Sequence, residues 1–302
     1  MSTTTKSDVY QIVTDKVLEA LEQGTVPWHK PWNTETGLPK NLTTGKVYRG
    51  INPFLLGMSA AIQGYDSPYW LTYKQASDRG AQVRKGEKST LVVFWKRLDP
   101  IAGAKKIIDP ETSEELMSLG ASMVLRYFNV FNSCQVDNLD VPKVEKISNK
   151  WEPLDQCESI ANRYLDNGPS LIQGGSRAAY SPSQDRIYMP TRESFESAHG
   201  YYSTLFHEMT HSTGHGNRLA RKDLLESHSF GDTSYSKEEL VAEMGSAMLS
   251  GVTGIEQQTV PNSAAYVKSW LSVLKGDRRL VVNAAAQAQK AADLIQGIKY
   301  SD

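Results

Sequence analysis

Two histidines four residues apart, with a glutamate beside the first, stand out in Ser203–His215 as His207-Glu208-x-x-His211. On a helix, residues four apart share one face, so two imidazoles one turn apart can grip a single metal ion. Glu208 lies beside them, placed to take a proton from a metal-bound water, which is the arrangement of metal-assisted hydrolysis. Tyr202, Leu205, Phe206 and Met209 flank these residues and predict a buried helix. A three-residue pattern can also arise on an ordinary solvated helix. Against that reading, five of the six histidines lie between His199 and His228.

A third ligand is available in Ser236–Leu249, which reads as a helix with Leu240, Met244, Ala247 and Met248 on one apolar stripe. Glu239 and Glu243 are one turn apart and can both face the histidine helix. The reading adopted is Glu239 as third ligand and Glu243 as the carboxylate that orients a ligand imidazole. On spacing alone the two roles can be exchanged, and Glu239 can equally be the capping-box partner of Ser236. Gly245, Ser246 and Ala247 predict close packing on a neighbouring helix. His-Glu-x-x-His is the motif of zinc metallopeptidases. The added glutamate with an acid four residues on resembles the gluzincin group. The metzincin extension does not fit, because Asn217 occupies the place of its third histidine, so His215 reads as a cleft-lining or surface residue. Three protein ligands and a water make an open, catalytic site. Zinc is the expected ion, and manganese or cobalt would suit the same ligands. Tyr201, Tyr202 and His215 are weak candidates for an oxyanion donor.

The elements that must position these groups follow in order. Asp8–Gln23 has helical periodicity, and Asn52 is read as the cap of a helix with Pro53 at its first turn. Tyr73–Arg79 reads as a short helix closed by Gly80. Thr90–Lys96 and Met123–Val136 read as partner strands, with Pro100–Gly120 as a long inserted loop. Asp137–Lys150 loses periodicity. Trp151–Asp166 is read as a helix, Ala178–Met189 as a hairpin beside the metal helix, and residues 262–302 as two further helices, the last Ala-rich. The fold class is α+β in two domains: 1–138, with a small antiparallel sheet, a linker at 139–150, and a mostly helical 151–302.

With 302 residues, 39% hydrophobic and 22% charged, the chain has the composition of a soluble globular protein. Two cysteines exclude a disulfide framework, no apolar run approaches a membrane span, and the first residues lack the apolar core of a signal peptide. The expectation is a cytoplasmic protein with no membrane partner.

Net charge is −1, yet Lys40–Arg97 carries ten Lys and Arg against three acids, a local excess of seven positive charges. Aromatics are interleaved with them. Cations that track phosphates and aromatic faces for unstacked bases suit single-stranded nucleic acid. No recognition helix or zinc finger for duplex reading is visible. The candidate DNA-binding residues are Trp28, Lys30, Trp32, Arg49, Trp70, Lys74, Arg84, Lys85 and Lys88. Trp95, within an apolar strand, is read as core.

Val26–Trp32, Tyr48–Pro53, Trp70–Gln75, Val83–Lys88, Tyr127–Asn132, His207–His215 and Glu238–Glu243 together resemble the ArdC family of plasmid-encoded antirestriction proteins. The resemblance implies an N-terminal domain that binds single-stranded DNA, shared with conjugative plasmid primases, and a C-terminal zincin-like metallopeptidase domain. It further implies protection of incoming DNA from restriction. The pairing of the two domains, rather than the resemblance, points to a host restriction protein as the peptidase substrate. The same residues would serve a non-catalytic DNA protector with a structural metal, or a regulatory peptidase triggered by DNA.

Overall fold

A computed structural model of the chain describes residues 8–29, 37–98, 122–143, 152–226, 233–255 and 263–298. The expected loop at Pro100–Gly120 and most of the expected linker fall outside them. In chain order the N-terminal half holds α1 (Val9–Glu22), β1 (Lys40–Asn41), α2 (Asn52–Gln63), β2 (Tyr69–Leu71), α3 (Tyr73–Ser77), β3 (Gln82–Val83), β4 (Thr90–Leu98), β5 (Ser122–Asn132) and β6 (Val136–Asp137). The C-terminal half follows with α4 (Glu152–Leu165), β7 (Ser170–Gln173), β8 (Ala179–Ser181), β9 (Arg186–Met189), α5 (Ala198–Ser212), α6 (Lys222–Glu226), α7 (Thr233–Thr253), α8 (Ser263–Gly276) and α9 (Leu280–Ile295). This is the two-domain α+β architecture the sequence predicts.

The N-terminal sheet has strand order β1-β2-β5-β4. The long β4–β5 ribbon is antiparallel, as expected, but β1 runs parallel to β2, so the sheet is mixed. Asp8 caps α1 by accepting from the Tyr10 amide. Asn52 is no cap. Its amide sits buried inside the first turn of α2, donating to the Val93 carbonyl at 2.8 Å and accepting from the Val93 amide at 2.7 Å. It thereby ties the start of α2 to β4 through two hydrogen bonds. The predicted Ala178–Met189 hairpin is β8 and β9, and β7 adds parallel to β9.

The two halves share one apolar core. Val13, Val17 and Leu21 of α1, and Phe54 and Leu55 of α2, belong to the same buried cluster as Phe206, Met209, Met248, Trp270 and Ala288. Trp28, fully buried, meets Trp270 edge-on at 5.1 Å between ring centroids. Polar ties cross the same boundary, from the Thr14 hydroxyl to the Arg278 carbonyl at 2.7 Å and from the Gly50 amide to Gln289 at 3.1 Å.

α5 and α7, which carry the candidate metal ligands, pack closely because Gly245 faces Thr210. A Cβ at 245 would stand 2.5 Å from Thr210 Cγ2 and 2.7 Å from its Oγ1. Gly245→Ala is therefore expected to destabilise the protein by about 1–3 kcal/mol through overpacking. Thr210→Ala in the same chain should recover part of the loss. Denaturant unfolding measures both, and a single variant as stable as the wild type would show that the helices can separate freely.

Candidate metal centre

Ser197 starts α5 by accepting from the Gly200 amide at 3.1 Å, and the helix then buries Leu205, Phe206 and Met209 almost completely. That orientation turns His207 and His211 toward α7. Their Nε2 atoms lie 3.1 Å apart. Glu239 reaches both, with Oε2 3.5 Å from His207 Nε2 and Oε1 3.3 Å from His211 Nε2. Among the described residues, His207, His211 and Glu239 form the group whose donor atoms all lie within 4.8 Å of one another. Two imidazole nitrogens and one carboxylate oxygen, converging from two helices, fit a divalent ion with a position left open. Ser236 does not cap α7. It lies within the helix, its hydroxyl 2.6 Å from that of Ser269, and Glu239 is therefore not engaged in a capping box.

The carboxylates behind the histidines are divided in a way that spacing does not disclose. Glu243 Oε1 is 3.8 Å from His207 Nδ1. His211 Nδ1 instead meets Glu238 Oε1 at 3.2 Å. Nothing in the pattern singles out Glu238, which precedes Glu239 and reads as an ordinary helix-surface acid, yet it is among the most buried charges of the chain. Arg221 holds it, donating to Oε2 at 2.9 Å and Oε1 at 2.5 Å. The same guanidinium donates to the Thr213 hydroxyl at 2.6 Å and the Thr210 carbonyl at 2.8 Å. Arg218 takes the Ser212 carbonyl at 2.8 Å. Two arginines thus add charged donors to the last carbonyls of α5, where the helix dipole favours a cation. Gly214 leaves the space Arg221 needs, since a Cβ there would come within 2.9 Å of its guanidinium.

Glu208 is buried next to the group. Of the candidate oxyanion donors, Tyr202 has its hydroxyl proton engaged elsewhere. The Tyr201 hydroxyl accepts from Gln173 at 2.8 Å, and the Tyr202 hydroxyl donates to Glu158. His215 is partly buried in the turn after α5, its Nδ1 accepting from the Asn217 amide at 3.3 Å.

Burial alone would push the His207 and His211 imidazoles down, but the Glu239 carboxylate, joined at His211 by Glu238, outweighs it. Both hold their protons above the ordinary imidazole range, His211 the more strongly. Glu239 is held far below the usual carboxylate range, since the two imidazoles override its own desolvation. A metal must displace those protons. Its apparent affinity should accordingly rise with pH, about tenfold per pH unit for each proton released. Without metal the sign reverses. The raised histidines contribute stability that is complete below their ordinary value of 6.5 and is lost as pH rises through the folded-state values. The gap in Tm between zinc-loaded and chelator-treated protein should therefore widen from about pH 6 to about pH 9. A gap that does not change with pH would contradict this proton–metal competition.

The candidate DNA-binding residues scatter. Trp28 and Trp70 are 0% and 1% exposed and offer no face to a base, because each packs in the apolar interior. Arg49 is spent on Asp293 of α9 at 2.5 Å. Arg84 is held by Glu87 at 2.8 Å and by the Cys134 carbonyl at 2.6 Å. Lys74, Lys85 and Lys88 are exposed. Lys30 and Trp32 lie outside the described residues. Trp95, expected in the core, is half exposed with its edge on Tyr10, because β4 runs past the helices that cover its start. The aromatic surface lies elsewhere. Phe94 and Phe128 are 45% and 48% exposed, with centroids 5.7 Å apart. Directly opposed pairs put Phe94 with Arg126 and Lys96 with Val124 on that same face of the ribbon.

Fold and site together define a two-domain protein with a zincin-like metallopeptidase domain behind an N-terminal α+β domain. Residues 159–287 match the zincin-like metallopeptidase family MPTase-PolyVal, and residues 7–131 match the N-terminal domain of the anti-restriction factor ArdC. The solved antirestriction protein ArdC of plasmid R388 is 38% identical in its metal-free form, with a TM-score of 0.75 over 96% of this chain and 97% of that one. Its Mn(II)-bound form gives 39% and 0.74, covering 96% and 98%. Protein y4eC of Sinorhizobium fredii is 36% identical over 96% of this chain and 92% of its own. Two DNA primases TraC of Escherichia coli are 38% and 39% identical, but this chain spans only 27% and 20% of their length. The chain belongs to the ArdC family of antirestriction proteins. Among the described residues, no helix is long and apolar enough to cross a membrane.

Proposed function

We propose that the protein is a cytoplasmic antirestriction factor that binds single-stranded DNA through its N-terminal half and hydrolyses a peptide bond, with a host restriction component as substrate, at His207, His211 and Glu239. The observation that carries the peptidase reading is the convergence of those three donor atoms beside the buried Glu208. A divalent ion in that position supplies Lewis acidity toward a peptide carbonyl and toward water. Zinc suits the donor set, with manganese or cobalt as substitutes. Glu208 takes the proton of the attacking water and returns it to the leaving amine. Glu238 and Glu243 hold the two imidazoles in orientation from behind. The deciding test compares survival of unmodified incoming DNA in a restricting host carrying wild type or Glu208→Gln.

The DNA reading rests on the exposed pair Phe94 and Phe128 with Lys96 and Arg126 beside them, stacking faces and cations on one side of a ribbon. Phe94→Ala and Phe128→Ala should each weaken binding of a single-stranded oligonucleotide by about 1–3 kcal/mol. Arg126→Ala should flatten the salt dependence by about 0.7 in the logarithmic slope. Fluorescence anisotropy across a salt series reads both, and unchanged binding in all three variants would remove this face from the interface.

A further inference from the structure

We infer that His29, a residue of the N-terminal half, is a positioning residue for the metal centre, acting on His207 through Glu243. Glu243 has one carboxylate oxygen toward each histidine, with Oε1 3.8 Å from His207 Nδ1 and Oε2 3.7 Å from His29 Nε2. His29 Nε2 is buried and has no hydrogen-bond partner of its own, so the carboxylate is the group it faces. His207 turns its other nitrogen toward Glu239 and His211. The order from the open site inward is therefore His207, Glu243, His29, and His29 lies behind the ligand. Its neighbour Trp28 is locked against Trp270, which fixes the height at which His29 meets α7. The zincin-like domain thus takes part of the support of its first histidine from the other half of the chain.

Glu243 belongs to a crowd of buried carboxylates, with Glu208, Glu238 and Glu239. Arg221 compensates Glu238. Glu243 faces the two imidazoles at 3.8 and 3.7 Å, and removing His29 leaves one oxygen facing a void. The carboxylate is then free to turn, and His207 loses a fixed acceptor behind it. Groups that orient a ligand directly are worth about 10–100-fold in metal affinity. His29 stands one group further out, and about 3–10-fold is expected.

The inference rests on the metal-binding reading of His207, His211 and Glu239, and the experiment separates the two. Metal-free full-length protein is titrated with zinc against a chromophoric chelator, for wild type, His207→Ala, His29→Ala, His29→Gln, Glu243→Gln and the double variant His29→Ala/Glu243→Gln. The expected result is loss of binding in His207→Ala, about 3–10-fold weaker binding in His29→Ala, and recovery in His29→Gln, whose amide keeps a donor. The double variant should bind like Glu243→Gln alone, a non-additivity that general loosening of the core would not produce. If His29→Ala does not fold, His29→Gln and His29→Asn carry the comparison, with the shorter amide weaker than the longer. Wild-type protein that binds no ion, or binding that survives His207→Ala, overturns the metal-binding reading and the role of His29 with it. Binding lost in His207→Ala but equal to wild type in His29→Ala, or additive loss in the double variant, overturns the role of His29 alone.

Discussion

Glu208→Gln is expected to leave metal uptake intact and to abolish protection of unmodified DNA in a restricting host. The glutamine keeps the volume of a buried side chain, so the fold and the three converging ligands should be undisturbed. What it loses is the ability to accept a proton. General-base assistance is typically worth about 10²–10⁴-fold, which in a survival assay would reduce protection to that of cells lacking the protein. Three measurements read the outcome together: metal content of the purified variant, its binding of a single-stranded oligonucleotide, and transfer of an unmodified plasmid. Protection lost with metal and DNA binding retained identifies peptide hydrolysis as the function, and a cleaved host component becomes the object of search. Protection retained in full would sink the peptidase reading in favour of a DNA-shielding protein whose metal is structural. Loss of metal in the variant would show that Glu208 helps hold the ion. Hydrolysis that appears only when single-stranded DNA is added would favour a peptidase triggered by DNA.

The placement of the chemistry was legible where it depends on helical periodicity. Positions 207 and 211, and positions 239 and 243, are each one turn apart, and an apolar stripe fixes which face of each helix is buried. Once two helices pack through Gly245 and Thr210, those faces have to meet. The fold class was legible for the same reason, since long β-branched runs and long 3.6-residue periods read locally. What was hidden depends on contacts distant in sequence. Glu238 is held against His211 by Arg221, which folds back along the turn after α5. Asn52 has the composition of a cap and is instead spent on the backbone of β4. The tryptophans misled for a related reason. Proline-rich flanks place Trp28 on a loop, and loops are usually at the surface. This one is covered by α8, from the far end of the chain, through Trp270. Trp95 erred in the opposite direction, because an apolar strand is buried only as far as something lies on top of it.

Arg221→Met should cost about 3–5 kcal/mol of stability, the largest single loss expected away from the ligands. Arg221 and Glu238 are 6% and 3% exposed, and the guanidinium is the cation within reach of that carboxylate besides the His211 imidazole. Without it a carboxylate remains desolvated and poorly compensated, and the Thr210 carbonyl loses one of its donors. The variant should also bind metal more weakly, by about 10–100-fold, because Glu238 no longer has a fixed position behind His211. Glu238→Leu on top of Arg221→Met separates these two consequences. Replacing both members of a buried pair by apolar groups removes the uncompensated charge and should restore much of the stability. Metal affinity should stay low, since His211 Nδ1 then has no carboxylate to meet. Denaturant unfolding and zinc titration of the single and double variants give the two readouts independently. A double variant that regained stability and metal affinity together would mean that the pair serves only to fasten the turn to α7, and that the orientation of His211 is set elsewhere.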